Sequence, residues 1–142
     1  MITNGLRFPL TFDYLTPRGL APLYIGDDVS FRFCLVNSSD TAQDLTGASI
    51  EMTIENGGLL IVRSTGVLIP GGGSDQIEID NQGSETPTTG KGWYQVNFSH
   101  VSADQNLLLP LVGRARYALV VTVNGRTFTH VAGPIDILEH TT

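Results

Sequence analysis

A chain of 142 residues suits one domain and can bury a core without disulfide or metal staples. Its formal charge of −6 opposes phosphate-rich surfaces, so neither nucleic acid nor an anionic membrane is an expected partner. Charged residues supply only 15% of the chain, against about 25% in ordinary soluble domains, and the Thr, Ser, Asn and Gln that replace them suit strands and turns better than surface helices.

The first 25 residues mix breakers with apolar side chains. Pro9, Pro17 and Pro22 remove backbone donors, while Leu6, Phe8, Leu10, Phe12, Tyr14, Leu15, Leu20, Leu23, Tyr24 and Ile25 are too many apolar groups for a solvated tail. Residues 1–25 therefore read as an apolar arm preceding a domain over 26–142. The arm packs either on its own domain as an edge strand or on a neighbouring subunit. No basic segment followed by a long apolar run opens the chain, and no run approaches the ~20 residues of a membrane span. Synthesis in a cytoplasm, without membrane insertion, is the expectation.

From Val29 the period is two. Val29, Phe31, Phe33 and Leu35 share one face, with Ser30, Arg32 and Cys34 on the other. Cys34 is the single cysteine, so no internal disulfide is possible, and it reads as a buried, inert thiol. The segment DLTGASIEMTI from Asp44 begins with a corner, in which Asp44 and Thr46 can bond local amides, Gly47 can turn the chain and Leu45 plugs the core. A strand follows with Ala48, Ile50, Met52 and Ile54 inward and Ser49, Glu51, Thr53 and Glu55 outward.

Asn56-Gly57-Gly58 turns the chain into Leu59–Arg63. Short strands are expected at Gln76–Asp80 and Trp93–His100, with polar loops at 70–75 and 81–92. Ser102-Ala103-Asp104-Gln105 has the capping-box form and predicts one short helical turn near 102–109, ended by Pro110. Asn124-Gly125 predicts a two-residue hairpin between Arg116–Val123 and Arg126–Ala132, setting Val121 opposite Phe128 and Leu119 opposite His130. Ile135–Leu138 reads as a last, separate strand. The total is an all-β chain, an immunoglobulin-like antiparallel β-sandwich of about 7–9 strands.

Chemistry is hard to find. His100, His130 and His140 fall in no metal-ligand spacing, and no nucleophile motif is present. Asp27-Asp28, or Asp75 with Asp80, falls short of the six or more oxygens that calcium takes. No metal, no cofactor and no enzymatic activity are therefore expected. Trp93 and Tyr94, beside a glycine-bearing loop, read first as aromatics of which at least one anchors the core, with stacking on a sugar as the lesser alternative.

The segments IGDDVSFRFCLV, DLTGASIEMTI, KGWYQVNFS and HVSADQNLLLPLVGRARYALVVTVNGRTFTHVAGPIDI stand in a suggestive order. Together they resemble the small immunoglobulin-like domains of tailed-bacteriophage structural proteins, in particular the N-terminal domain of phage baseplate upper proteins. The resemblance covers residues 25–138. It implies a virion component made in the host cytoplasm and present in multiple copies, at the tail or baseplate or on the capsid surface. Other virion proteins and further copies of the chain are its expected partners. The assembly arm would comprise Leu6, Phe8, Leu10, Phe12, Tyr14, Leu15, Leu20, Leu23 and Tyr24. The alternative is a carbohydrate- or host-surface-binding module using Trp93 and Tyr94.

Overall fold

A computed structural model describes residues 19–36, 41–80 and 91–140 in full and residues 2–9 and 16–17 as backbone. Ten strands are present among them: β1 (Ile2–Pro9), β2 (Thr16–Pro17), β3 (Leu23–Tyr24), β4 (Val29–Val36), β5 (Ser49–Asn56), β6 (Leu59–Ser64), β7 (Ile77–Ile79), β8 (Trp93–Phe98), β9 (Gly113–Val123) and β10 (Arg126–Leu138). One helix, α1 (Ser102–Leu108), continues into a 3₁₀ turn at Leu109–Leu111.

A four-stranded sheet has the order β1-β4-β8-β7, and a six-stranded sheet the order β2-β10-β9-β5-β6, with β3 also on β10. The two sheets make an all-β sandwich. The expected sandwich is therefore present, but it is not wholly antiparallel. Strand β1 runs parallel to β4, and β2 and β3 run parallel to β10.

The alternating strands fill the space between the sheets. Phe31, Phe33 and Leu35 of β4 meet Ile50, Met52 and Ile54 of β5, Tyr94, Val96 and Phe98 of β8, and Tyr117, Leu119 and Val121 of β9. Asp44 forms the anticipated corner: its Oδ1 accepts from the Thr46 amide at 2.9 Å and the Thr46 hydroxyl at 2.7 Å. Leu45 is buried at the end of the core.

Several local expectations need correction. The helix is not capped by Ser102. Its N-cap is Val101, with no side-chain cap bond, and Asp104 Oδ2 reaches back to the Ser99 amide at 2.8 Å. The Asn-Gly hairpin sets Val121 opposite Phe128 as expected, but a bulge between Thr129 and Val131 pairs Leu119 with Val131 and leaves His130 out of the register. Strand β10 also does not break at Gly133-Pro134. It runs unbroken to Leu138, with Pro134 lying between the residues that pair with β2 and those that pair with β3.

Candidate interaction surface

The arm is the first place to look for a docking surface. The described part of it is paired within its own chain. Leu6 stands opposite Phe33 and Phe8 opposite Leu35 in the parallel β1–β4 register. Leu23 is fully buried and Leu20 packs against the core, so both belong to the sandwich itself. Tyr24 is exposed and stacks on the His140 ring, centroids 5.1 Å apart. The boundary expected at residue 25 thus falls within the sandwich, because β3 and Ile25 are tied to the end of β10. Leu10, Phe12, Tyr14 and Leu15 lie outside the described residues.

The sugar platform does not form. Trp93 and Tyr94 are neighbours on β8, so they project to opposite faces. Tyr94 is 0% exposed, stacked on Phe33 inside the sandwich, and its hydroxyl lies 2.8 Å from His130 Nδ1. Burial pushes its phenol well above the ordinary value of 10.0, with Tyr117 and Cys34 adding to the shift. Trp93 is 3% exposed in a second cluster with Cys34 and Val36, and the Arg32 guanidinium lies 4.9 Å from its ring centre. Neither ring offers a face to a ligand.

Polar groups are engaged in holding the structure together. His100 Nδ1 lies 2.9 Å from Asp28, and His140 Nε2 lies 2.8 Å from Asp27. The hydrogen bonds from His100 hold the Asp28 carboxyl below its ordinary 3.8. The two adjacent aspartates therefore fasten the segment after β8 and the C-terminal segment to the start of β4. Arg63 and Asp104 form a fully buried pair under the Phe98 ring. Among the described residues, no three His, Cys, Asp or Glu side chains converge as a metal site. An open groove of about 430 Å³ runs along β7, lined by Asp75, Glu78, Asp80 and Gln95 among others. Asp80 is already paired with Arg32 at 3.2 Å.

What is left is an edge. Strand β6 ends the six-stranded sheet, and its apolar side chains are exposed: Leu59 by 52%, Leu60 by 58% and Val62 by 46%. The turn that follows adds exposed Val67 and Leu68. Natural sheets blunt such edges with Lys, Pro or a bulge. Between Leu59 and Ser64 there is no Lys or Pro, and the β5–β6 register is unbroken. The one charge on the strand, Arg63, is turned inward and neutralised by Asp104. None of these residues was among the candidates drawn from the sequence, although a signal was there. Leu59-Leu60-Ile61-Val62 is apolar at both parities, so unlike β5 it has no polar side to turn to water.

No family model and no curated protein matches the chain. Among solved structures, it is similar to the N-terminal domain of phage TP901-1 ORF48, with 12% sequence identity and a TM-score of 0.51, over 97% of this chain and 99% of that one. The likeness is one of fold.

Proposed function

We propose that the chain is a non-enzymatic structural protein of a bacteriophage particle, seated at the tail or baseplate or on the capsid surface. There it docks on neighbouring subunits through its sheet edge. The observation that carries this reading is the end-to-end correspondence with a phage protein domain. The exposed apolar edge of β6 supplies a means of attachment, since a free edge gives main-chain hydrogen bonds and its side chains give selectivity. The arm, whose described strands already pair within the chain, becomes part of the fold rather than the docking element.

Particles of the phage that encodes the chain test the proposal. After density-gradient purification they should carry it at a fixed stoichiometry by quantitative mass spectrometry. A chain recovered only in the unassembled fraction would sink the reading.

A further inference from the structure

The outer face of the six-stranded sheet carries a pattern of charge and size. Four neighbouring strands present it in the order β6-β5-β9-β10, and directly opposed residues share a face, so the pairing registers set its rows. One row reads Leu60, Glu55, Arg116, Pro134, and the next reads Val62, Thr53, Ala118, Ala132. Across each row, large apolar side chains stand on β6, with Leu60 exposed by 58% and Val62 by 46%, and small ones stand on β10. In the first row negative charge lies on β5 and positive charge on β9, and both Glu55 and Arg116 are exposed.

This face is complementary to itself in one orientation. A two-fold axis parallel to the strands, lying between two facing copies and midway between β5 and β9, sets β5 of one copy over β9 of the other and β6 over β10. Each row then lies over its own counterpart. Glu55 meets Arg116 of the second copy, and Arg116 meets Glu55 of the second copy, so four charges form a square with opposite signs along every side. Val62 lies over Ala132 of the second copy and Leu60 over its Pro134, large on small. Other axes lose this match. A two-fold laid across the strands through Thr53 puts Glu55 over Glu51 of the second copy, like on like. One moved between β9 and β10 sets Arg116 over Pro134 and leaves Glu55 without a cation. We propose that the outer face of the six-stranded sheet binds a second copy of this chain in the matched orientation.

The area available fixes how tight this contact is. Four strands side by side, over the eight residues of β5, make a footprint of roughly 19 Å by 26 Å, or about 500 Å² on each copy. A total near 1,000 Å² belongs to weak, reversible interfaces, populated at high concentration or where copies are held side by side. Twisted sheets pack face to face in this aligned manner. The charge of −6 does not oppose it strongly, because the face holds three carboxylates, Glu51, Glu55 and Asp136, against the guanidiniums of Arg114 and Arg116. Most of the excess negative charge therefore lies elsewhere. The open edge of β6 stays free for the attachment proposed above, so the contact goes beyond that role and does not depend on it.

The experiment is sedimentation equilibrium of the purified full chain at low salt, at concentrations up to about 1 mM, where so small an interface is occupied. The mass should rise from 15.3 kDa toward twice that value, and added salt should weaken the association. Glu55→Arg alone and Arg116→Glu alone each set like charges across the axis, and each should stay at one copy with an unchanged far-UV spectrum. Mixing the two variants in equal amounts should restore a dimer with one chain of each, because every altered charge then meets its opposite on the other chain. A folding defect within either chain cannot produce that rescue. A wild type that stays at 15.3 kDa throughout overturns the proposal. So do single variants that associate as well as wild type, or a mixture that remains monomeric. Absence of the chain from particles, with the dimer and its rescue intact, would instead count against the virion role alone.

Discussion

Arg63 on β6 and Asp104 on α1, 41 positions apart, meet through two parallel hydrogen bonds of 3.1 Å, and both side chains are sealed from water. Arg63 also donates to Asn97 O, and Asp104 also accepts from the Ser99 amide. The pair therefore ties the edge strand of one sheet to the end of β8 in the other and to the helix between them.

Breaking one half of that pair strands the other as a buried charge. Asp104→Ala should cost about 3–5 kcal/mol, read from chemical denaturation midpoints. Replacing both partners, as in Arg63→Met with Asp104→Leu, should recover most of the loss, because an apolar pair of similar volume needs no charge neutralisation. A double variant as unstable as Asp104→Ala would mean that the bonds to Asn97 O and the Ser99 amide, rather than the ion pair, hold the helix.

Tyr94 and His130 join β8 to β10 through the core. The Tyr94 phenol has a folded-state value above its unfolded one, so the folded state holds its proton more tightly. Its stabilising effect is complete below about pH 10, the unfolded value, and is lost as pH rises toward the folded one. Phenolate absorbance should show Tyr94 ionising only as the chain unfolds. In Tyr94→Phe the alkaline loss of stability should shrink, while stability at neutral pH falls by roughly 1–3 kcal/mol because a buried bond to His130 is gone.

The Asp28 carboxyl works in the opposite direction. Bonds to the His100 ring and amide lower its value in the folded state. The stability it contributes is present above about pH 3.9, the unfolded value, and is lost as pH falls through the folded one. Carboxyl chemical shifts followed through an acid titration should place Asp28 below 3.8, and His100→Ala should return it toward the ordinary range. An Asp28 value unmoved by His100→Ala would show that this bond does not form in solution.

Two glycines near the connection between β4 and β5 separate backbone strain from crowding. Gly47 has φ +74° with nothing within 4 Å of where a Cβ would stand, whereas at Gly92, φ +86°, a Cβ would lie 2.8 Å from the Leu35 carbonyl oxygen and 3.2 Å from Ala42 Cβ. Gly47→Ala should cost only the left-handed penalty of roughly 1–2 kcal/mol. Gly92→Ala should cost clearly more in the same thermal melts, since the obstacle is main chain and cannot swing aside. Equal losses at the two sites would remove crowding from the account.

How far the fold could be read from the chain depended on the range of each signal. Strands β4, β5, β8 and the β9–β10 hairpin were legible, because alternation and an Asn-Gly turn are local patterns. The Asp44 corner was legible for the same reason. The β1–β4 pairing was not. A parallel strand has no hairpin turn to announce it, and Pro9 stands within β1 while Pro17 and Pro22 interrupt the chain between the two strands. The Arg63–Asp104 pair was equally hidden: Asp104 stood within a Ser102 capping-box pattern, Arg63 at the end of an expected strand, and no local pattern links two residues 41 positions apart. The β6 edge lay between these cases. Its doubly apolar LLIV was visible, but its position at the end of a sheet emerges only once six strands are in order.

Removing the first 25 residues gives the clearest test of where the arm belongs. If it were only a docking element, the truncated domain would fold. The structure leads to the opposite expectation. Leu23 is fully buried, Ile25 is nearly so, and the Ile25 amide bonds to Leu138 O at 2.9 Å. Deleting 1–25 also removes β1, which pairs with β4 along its whole length, and leaves β4 held on one side only, by β8. The truncated chain should therefore lose cooperative unfolding or aggregate. The single change Leu23→Ala, which leaves every strand in place, should cost about 2–5 kcal/mol through the cavity alone. Deleting only 1–9 separates the two contributions, because it removes β1 but keeps Leu23 and Ile25 in the core. If that shorter truncation melts like the full chain, β1 is dispensable for the fold and free to pair elsewhere; if it melts far lower, the parallel strand is part of what makes the sandwich stable.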